Sequence, residues 1–175
     1  MAKKKFEVNI MSLSSIEQII NELRAYQNSL EKKIKLLCWR LADIGLETAR
    51  ATVYSLDAVF TGELFQSLHI EQRNSGTDAV VLAIVANSQH AVFVEFGTGI
   101  IGKENPYPGK LPEGVSWQYA SGKTIRQLSD GRYGWFYYRD DQWYFTEGMP
   151  SRPFMYFATL EIQKNVVKIA KEVFG

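Results

Sequence analysis

The chain has 175 residues, of which 20 are basic and 19 acidic, so its formal net charge is +1. This length predicts a single domain, and a near-neutral chain that is 46% hydrophobic is unlike both disordered chains and broad nucleic-acid binders. The lone Cys38 excludes an intramolecular disulfide. The longest apolar run, 79–86, is too short for a membrane span of about 20 residues, so we expect no membrane contact.

Residues 1–14 are predicted to form a flexible basic arm, with a short strand as the alternative, and a long helix follows. Ser14 or Ser15 is the candidate N-cap of this helix. Because the pattern continues to residues 51–54, beyond the usual helix length, a break near 27–29 or at Gly45 is an open alternative. Apolar residues recur at spacings of four and three on one face: Ile16, Ile20, Leu23, Leu30, Ile34, Leu37, Leu41 and Ile44.

A short helix after Gly62 and a β-hairpin are predicted next. Segments 68–72 and 79–86 read as strands, because turn-forming residues at 74–78 connect them. The second segment is apolar throughout, which is typical of a central strand or one buried on both faces. Periodicity over 90–96 fits either a helical turn or a strand.

The second half of the chain begins with a Gly- and Pro-rich stretch, 97–134, which predicts a long loop. Segments 135–138 and 143–146 then predict a second hairpin, and a helix follows over 153–173. The prediction is an α+β fold: long N-terminal and C-terminal helices packed on a small antiparallel sheet. It forms one domain, residues 15–175, with a loop and hairpin excursion at 97–147.

The sequence carries no common catalytic or metal-binding signature. His69 and His90 are the only histidines and stand in isolation. Residues 97–102 match G-x-G-x-x-G, but the Pro-rich stretch that follows cannot continue as the helix that a dinucleotide site requires. We therefore expect no enzyme activity, no catalytic residue, no metal and no cofactor.

Glu95 lies in an apolar segment, 92–96, and a buried carboxylate requires hydrogen-bonding partners. The loop that follows offers backbone N–H groups at 97–99. We expect Glu95 to brace that loop by accepting from these groups, and not to act as a catalytic acid.

Eight of the 23 aromatic residues lie between Tyr133 and Phe145. Four in a row, 135–138, must face both sides of a strand, so a second cover is needed for the face that is not core. A stacking platform for single-stranded nucleic acid would need cations nearby, and the arginines here are opposed by acids. We predict core packing plus a subunit interface, with nucleic-acid binding as the alternative. The predicted interface residues are Trp135, Tyr137, Trp143 and Phe145.

Three segments occur in a set order: T-G-E-L-F-Q-S-L at 61–68, H-A-V-F-V-E-F-G-T-G at 90–99 and G-M-P-S-R-P-F-M at 148–155. Together they resemble the tail-component or head–tail joining family of long-tailed phages and prophages. That family typically carries T-G-x-L-x-x-S, V-E-F-G-T-G and A-x-P-F-M, and Ser151-Arg152 is a mild departure. The resemblance implies an assembly role for Thr61, Gly62, Leu64, Ser67, Phe93, Glu95, Phe96, Gly97, Thr98, Gly99, Arg152, Pro153, Phe154 and Met155.

The resemblance also implies a function. It is that of a non-enzymatic virion protein of the neck, which forms a ring, often a hexamer, at the head-proximal end of the tail. Such a ring completes the tail and joins it to the head connector. Its expected partners are further copies of itself, connector and tail tube proteins, and DNA only as cargo through the channel. The expected location is the virion, and the host cytoplasm during assembly.

Overall fold

The computed structural model describes residues 12–56, 62–74, 79–111, 113–119 and 125–175. Within these ranges the chain forms helices and short antiparallel strands, so the predicted α+β class with a long helix near each end is confirmed. Residues 1–11 of the predicted arm, and Thr61 of the first family segment, lie outside the described residues. None of the described helices combines the length and apolar composition of a membrane span.

The first helix, α1, runs unbroken over Leu13–Ser55, so neither alternative break occurs. Its N-cap is Ser12, whose Oγ accepts a hydrogen bond from the Ser15 N–H at 3.4 Å. The predicted caps Ser14 and Ser15 are therefore wrong. Capping at the outermost serine lets the helix start earlier and form additional backbone hydrogen bonds.

The last helix, α5 (Phe154–Phe174), lies antiparallel to the C-terminal part of α1. A Cβ at Gly45 would meet the Ile162 side chain, so the two helices approach closely there. Nearer the other end of α5, Arg40 pairs with Glu172 at 3.2 Å. The buried face of α1 is not the predicted stripe, because small residues let the neighbouring elements pack more closely than branched ones do. The buried positions of α1 are Ala42, Gly45, Ala49 and Val53.

A short helix, α2 (Glu63–Ser67), leads into the first hairpin, formed by β1 (Leu68–Asn74) and β2 (Val80–Ala86). The strands pair antiparallel and form a two-stranded sheet, so the expectation of a central or fully buried second strand is wrong. The apolar run arises instead because one face of β2 packs on α1, where Ile84 meets Gly45, while the other face is only partly covered.

Two six-residue helices follow, α3 (Ala91–Phe96) and α4 (Gly99–Glu104). The first settles the ambiguity at 90–96 in favour of a helix, and the second lies where a loop was predicted. The α4 helix ends just before Asn105, because the proline that follows disfavours helical backbone in the residue preceding it.

The second sheet has the order β3-β4-β5, with strands β3 (Arg126–Gln127), β4 (Tyr133–Arg139) and β5 (Gln142–Thr146). The predicted aromatic hairpin is therefore present, but it belongs to a separate sheet from the first hairpin. Its turn residues, Asp140 and Asp141, both have positive φ, 47° and 59°, which is the backbone of a type I′ turn.

One buried cluster connects α1, α2, the start of β1, α3 and α5. Phe154, at the start of α5, is its largest member and is 1% exposed. The other members are Ala49, Val53, Leu64, Leu68, Ala91, Val94 and Ala158. The core therefore lies at the C-terminal end of α1, beside all three segments that carry the family resemblance.

Candidate assembly site

The central family segment forms α3 and the sharp turn that ends it. Gly97 donates its N–H to the Phe93 carbonyl at 2.9 Å and has φ +77° and ψ 168°, a conformation that only glycine adopts readily. A Cβ at Gly97 would lie 2.7 Å from the Ser151 nitrogen and 3.0 Å from the Met149 oxygen. The glycine is thus required because the late family segment passes directly against it.

Glu95 connects the two segments. Its Oε2 accepts from the Met155 N–H at 2.9 Å, and its Oε1 accepts from the Tyr156 N–H at 3.0 Å. These are first-turn N–H groups of α5, whose N-cap Pro153 provides no side-chain acceptor. Glu95 therefore does brace the structure, but the expected acceptance from residues 97–99 is wrong, because the fold brings unsatisfied helix donors closer.

Further hydrogen bonds connect the same two segments. The Ser151 Oγ donates to the Glu95 carbonyl at 2.6 Å, and the Arg152 N–H donates to the Val94 carbonyl at 2.8 Å. Pro153 and Phe154 are both buried beside this contact. We call the contact between residues 94–99 and 148–156 the motif joint.

The motif joint also holds the base of the aromatic hairpin. Thr98 bridges to Met149 and Gly99 to Gly148 in antiparallel fashion. A Cβ at Gly99, where φ is +68°, would overlap the Glu147 carbonyl and come within 2.8 Å of the Trp135 ring. The hairpin therefore leaves the body of the protein from a fixed point.

Sequence reasoning assigned no role to Trp117 and Tyr119, although both contact the motif joint. The Trp117 Nε1 donates to the Gly97 carbonyl at 2.9 Å, and the Gly99 N–H donates to the Tyr119 carbonyl at 2.7 Å. The Trp117 ring lies 5.8 Å from Phe93 and 5.2 Å from Phe96. Large aromatic residues inside a Gly- and Pro-rich loop were the available signal, because such residues are costly to leave exposed.

The first family segment supports the joint from the core side. Gly62 precedes α2 with φ +75°, Leu64 is buried against the same cluster as Phe154, and the Ser67 Oγ donates to the Leu64 carbonyl at 2.8 Å. Met155 packs against the edge of that cluster. The family positions in the described ranges thus lie in one connected region, although they are distant in sequence.

The electrostatics of the joint centre on Glu95, the buried charged residue of the described core. Burial raises its pKa above the ordinary 4.5, while the N–H groups of Met155, Tyr156 and Phe154 act to lower it. Burial, and then the nearby Glu95 carboxylate, also raise the pKa of the Tyr107 hydroxyl. The Tyr107 ring packs edge-on against Phe96 at 4.8 Å, which encloses this side of the joint.

A pH prediction follows from the raised pKa of Glu95. The folded state holds the Glu95 proton more tightly than the unfolded chain does, so its stabilising effect is complete below pH 4.5 and declines as pH rises through the native pKa. Glu95→Gln keeps this position neutral. We therefore expect wild type to lose stability relative to this variant as pH rises from about 4.5 to 7. The free energy of unfolding of the variant minus that of wild type then increases with pH. Urea denaturation of both proteins at each pH measures this difference, and a constant difference would contradict it.

The aromatic hairpin presents aromatic rings on both faces. Phe136 pairs with Phe145 and Tyr138 with Trp143 on one face, while Tyr137 stacks on Tyr144 on the other, with 5.5 Å between ring centres. Trp143 is 68% exposed and Tyr137 is 41% exposed. The predicted interface residues thus divide in two: Tyr137 and Trp143 are exposed, while Trp135 and Phe145 are partly covered within the chain.

The arginines beside the hairpin are paired with neighbouring acids. Arg132 contacts Asp130 at 2.8 Å and also lies over the Phe145 ring at 5.2 Å. Arg139 contacts Asp140 at 3.2 Å. The hairpin surface is therefore aromatic, and both of its arginines are paired with acids.

The described part of the chain contains no group of three or more His, Cys, Asp or Glu side chains that could hold a metal ion. Comparison of the chain with protein-family models, with curated proteins and with solved structures finds no match. What the site offers is a hydrogen-bonded joint that carries an exposed aromatic hairpin, an arrangement suited to binding another protein surface.

Proposed function

We propose that this protein is a structural component of the phage or prophage neck, which forms a ring that completes the tail and joins it to the head connector. The observation that carries this proposal is the motif joint. The two segments on which the family resemblance rests most, separated by 60 positions, are hydrogen-bonded to each other through Glu95. The two segments that resemble the family at separate places in the sequence thus form one structural unit, and this supports the resemblance as a whole.

The geometry also offers a surface for ring assembly. A ring that closes requires two different faces on each protomer, one of which binds the other on the next copy. The hairpin is fixed at its base by Gly99 and Trp135 and exposes its aromatic tip. Exposed tryptophan and tyrosine are the residues that dominate binding energy in protein interfaces. In this proposal the hairpin is one of the two faces, DNA is cargo, and the finished ring belongs to the virion.

Electron microscopy of the purified protein, and of particles that lack it, tests the function. We expect closed rings in the first preparation and full heads with unattached tails in the second. Normal virions assembled without the protein would contradict the joining role.

Trp143→Ser tests the hairpin interface. We expect the variant to weaken ring assembly by at least about tenfold, because it removes an exposed aromatic that would be buried between copies. Trp39→Ser is the matched control, because Trp39 is an exposed tryptophan on α1, away from the hairpin. Mass photometry over a concentration series measures assembly, and circular dichroism checks that both variants remain folded. Equal assembly of the two variants would contradict the role of the hairpin.

The alternative proposal is a nucleic-acid-binding module that uses the same aromatic hairpin. Exposed rings such as Trp143 favour it, because bases stack on aromatic side chains. The pairing of Arg132 with Asp130 and of Arg139 with Asp140 opposes it, because paired arginines attract phosphates less strongly. A titration with single-stranded DNA distinguishes the two proposals, since tight binding that weakens steeply with salt would favour the module.

A further inference from the structure

The N-terminal part of α1 extends beyond the rest of the described fold. The α5 helix ends beside Lys33, whose Nζ lies 6.0 Å from the centre of the Phe174 ring. The preceding α1 residues, 13–32, are roughly 20 residues and span about 30 Å. No side chain from residue 13 to residue 41 is buried. Most helical stability in proteins comes from packing an apolar face, and this segment buries no side chain within the described fold, which favours a partner for it.

The projecting segment has a seven-residue repeat that is apolar except at Gln27, and its first and fourth positions are called a and d. Leu13, at an a position, is 81% exposed; Ile20, at the next a position, is 41% exposed; and Leu23, at a d position, is 46% exposed. We call this stripe the α1 seam. Its a positions are Leu13, Ile20 and Gln27, and its d positions are Ile16, Leu23 and Leu30.

We propose that the α1 seam binds the α1 seam of a second copy of the chain, in antiparallel orientation about a two-fold axis. When Ile20 is placed against Leu23 of the second copy, Leu13 lies against Leu30 and Ile16 against Gln27. Every seam position then has a partner. The paired part of the two helices ends at residue 30, just before Lys33, where α5 packs against α1. The folded bodies of the two copies therefore lie at opposite ends of the helix pair.

The charges beside the seam select this orientation. In the antiparallel register, Glu17 lies beside Arg24 of the second copy, and the symmetry repeats this attractive pair. A parallel pair would instead place Ile19 beside Arg24 and Tyr26 beside Glu31, with no opposite charges facing each other. The antiparallel arrangement also lets Ile19 contact Tyr26 of the second copy. Opposed helix dipoles favour it further.

Sedimentation of the full-length chain tests the proposal. It uses a Trp143→Ser background, so that contacts through the hairpin do not contribute. We expect a dimer at about 100 μM protein, and Leu23→Lys is expected to weaken it by more than about a hundredfold, because two unpaired charges would be buried. Ala25→Lys is the matched control, because Ala25 lies outside the seam. A monomer at this concentration, or equal effects of the two lysines, would overturn the proposal.

Charge reversal tests the orientation without disturbing the apolar seam. We expect Glu17→Arg alone and Arg24→Glu alone to weaken the dimer by about threefold to tenfold each, and the double variant to restore it. A parallel pair does not place these two residues together, so failure of the double variant to restore binding would overturn the antiparallel arrangement. The proposal does not rest on the proposed function, since seam variants leave the hairpin intact.

Discussion

Glu95→Ala is expected to lower the free energy of unfolding at pH 7 by about 2–4 kcal/mol. The substitution removes the acceptor of the Met155 and Tyr156 N–H groups, which are bonded at 2.9 and 3.0 Å. It also removes methylene packing beside the core. The variant no longer buries a carboxylate, and this gain offsets part of the loss. The N-cap residue of α5, Pro153, however, has no side-chain acceptor that could replace Glu95.

Urea denaturation of wild type and variant measures this loss. Glu104→Ala is the matched control, because Glu104 is an exposed carboxylate at the end of the neighbouring helix α4. We expect the control to change stability by less than about 0.5 kcal/mol. If Glu95→Ala were no more destabilising than Glu104→Ala, Glu95 would not be the element that joins the two family segments.

The long elements of the fold could be predicted from the sequence because their patterns repeat over many residues. The helices that became α1 and α5 are of this kind, whereas the aromatic hairpin was predicted from the turn residues between its two short strands. The six-residue helix α4 was not predicted, and α3 was left open between a helical turn and a strand, because so few residues carry no clear periodicity. The buried face of α1 was also missed, since small residues such as Gly45 and Ala49 carry little hydrophobic signal.

The sequence pointed to residues of the candidate site but not to the contacts that these residues make. Glu95 stood out because a carboxylate among apolar residues requires a partner, yet its partners lie 60 and 61 positions later in the chain. Local reasoning chose the nearest N–H groups, at 97–99, and only the packing of α3 against the start of α5 shows the true donors. The contacts of Trp117 and Tyr119 with the joint depend on the path of a loop, and no periodic pattern determines such a path.

The two proposed interfaces lie at separate places on the chain. The aromatic hairpin leaves the motif joint at one place, while the α1 seam lies beyond the end of α5, where Phe174 meets Lys33. A contact through the hairpin to a different face can build a ring, whereas a seam against its own copy is self-complementary and closes as a pair. Because the two surfaces share no residue, the variants Trp143→Ser and Leu23→Lys should act independently.

Gly97→Ala is expected to destabilise the protein by at least about 3 kcal/mol. Two costs combine at this position. The backbone, with φ +77° and ψ 168°, lies in a region that residues with a Cβ rarely adopt. The new Cβ would also meet the Ser151 nitrogen at 2.7 Å, and a backbone atom held by its own hydrogen bond cannot move away cheaply. The motif joint would have to open to admit one methyl group.

Gly114→Ala is the control for a positive φ without a clash. Gly114 has nearly the same φ, +78°, but a Cβ there would meet nothing within 4 Å. We expect the Gly114 variant to lose about 1 kcal/mol from its positive φ alone, so that the further loss at Gly97 reflects its ψ of 168° together with the contact against Ser151. Thermal and urea denaturation of both variants provide the comparison. Equal losses would mean that the late segment moves aside freely, and the joint would not be the rigid base on which the hairpin interface depends.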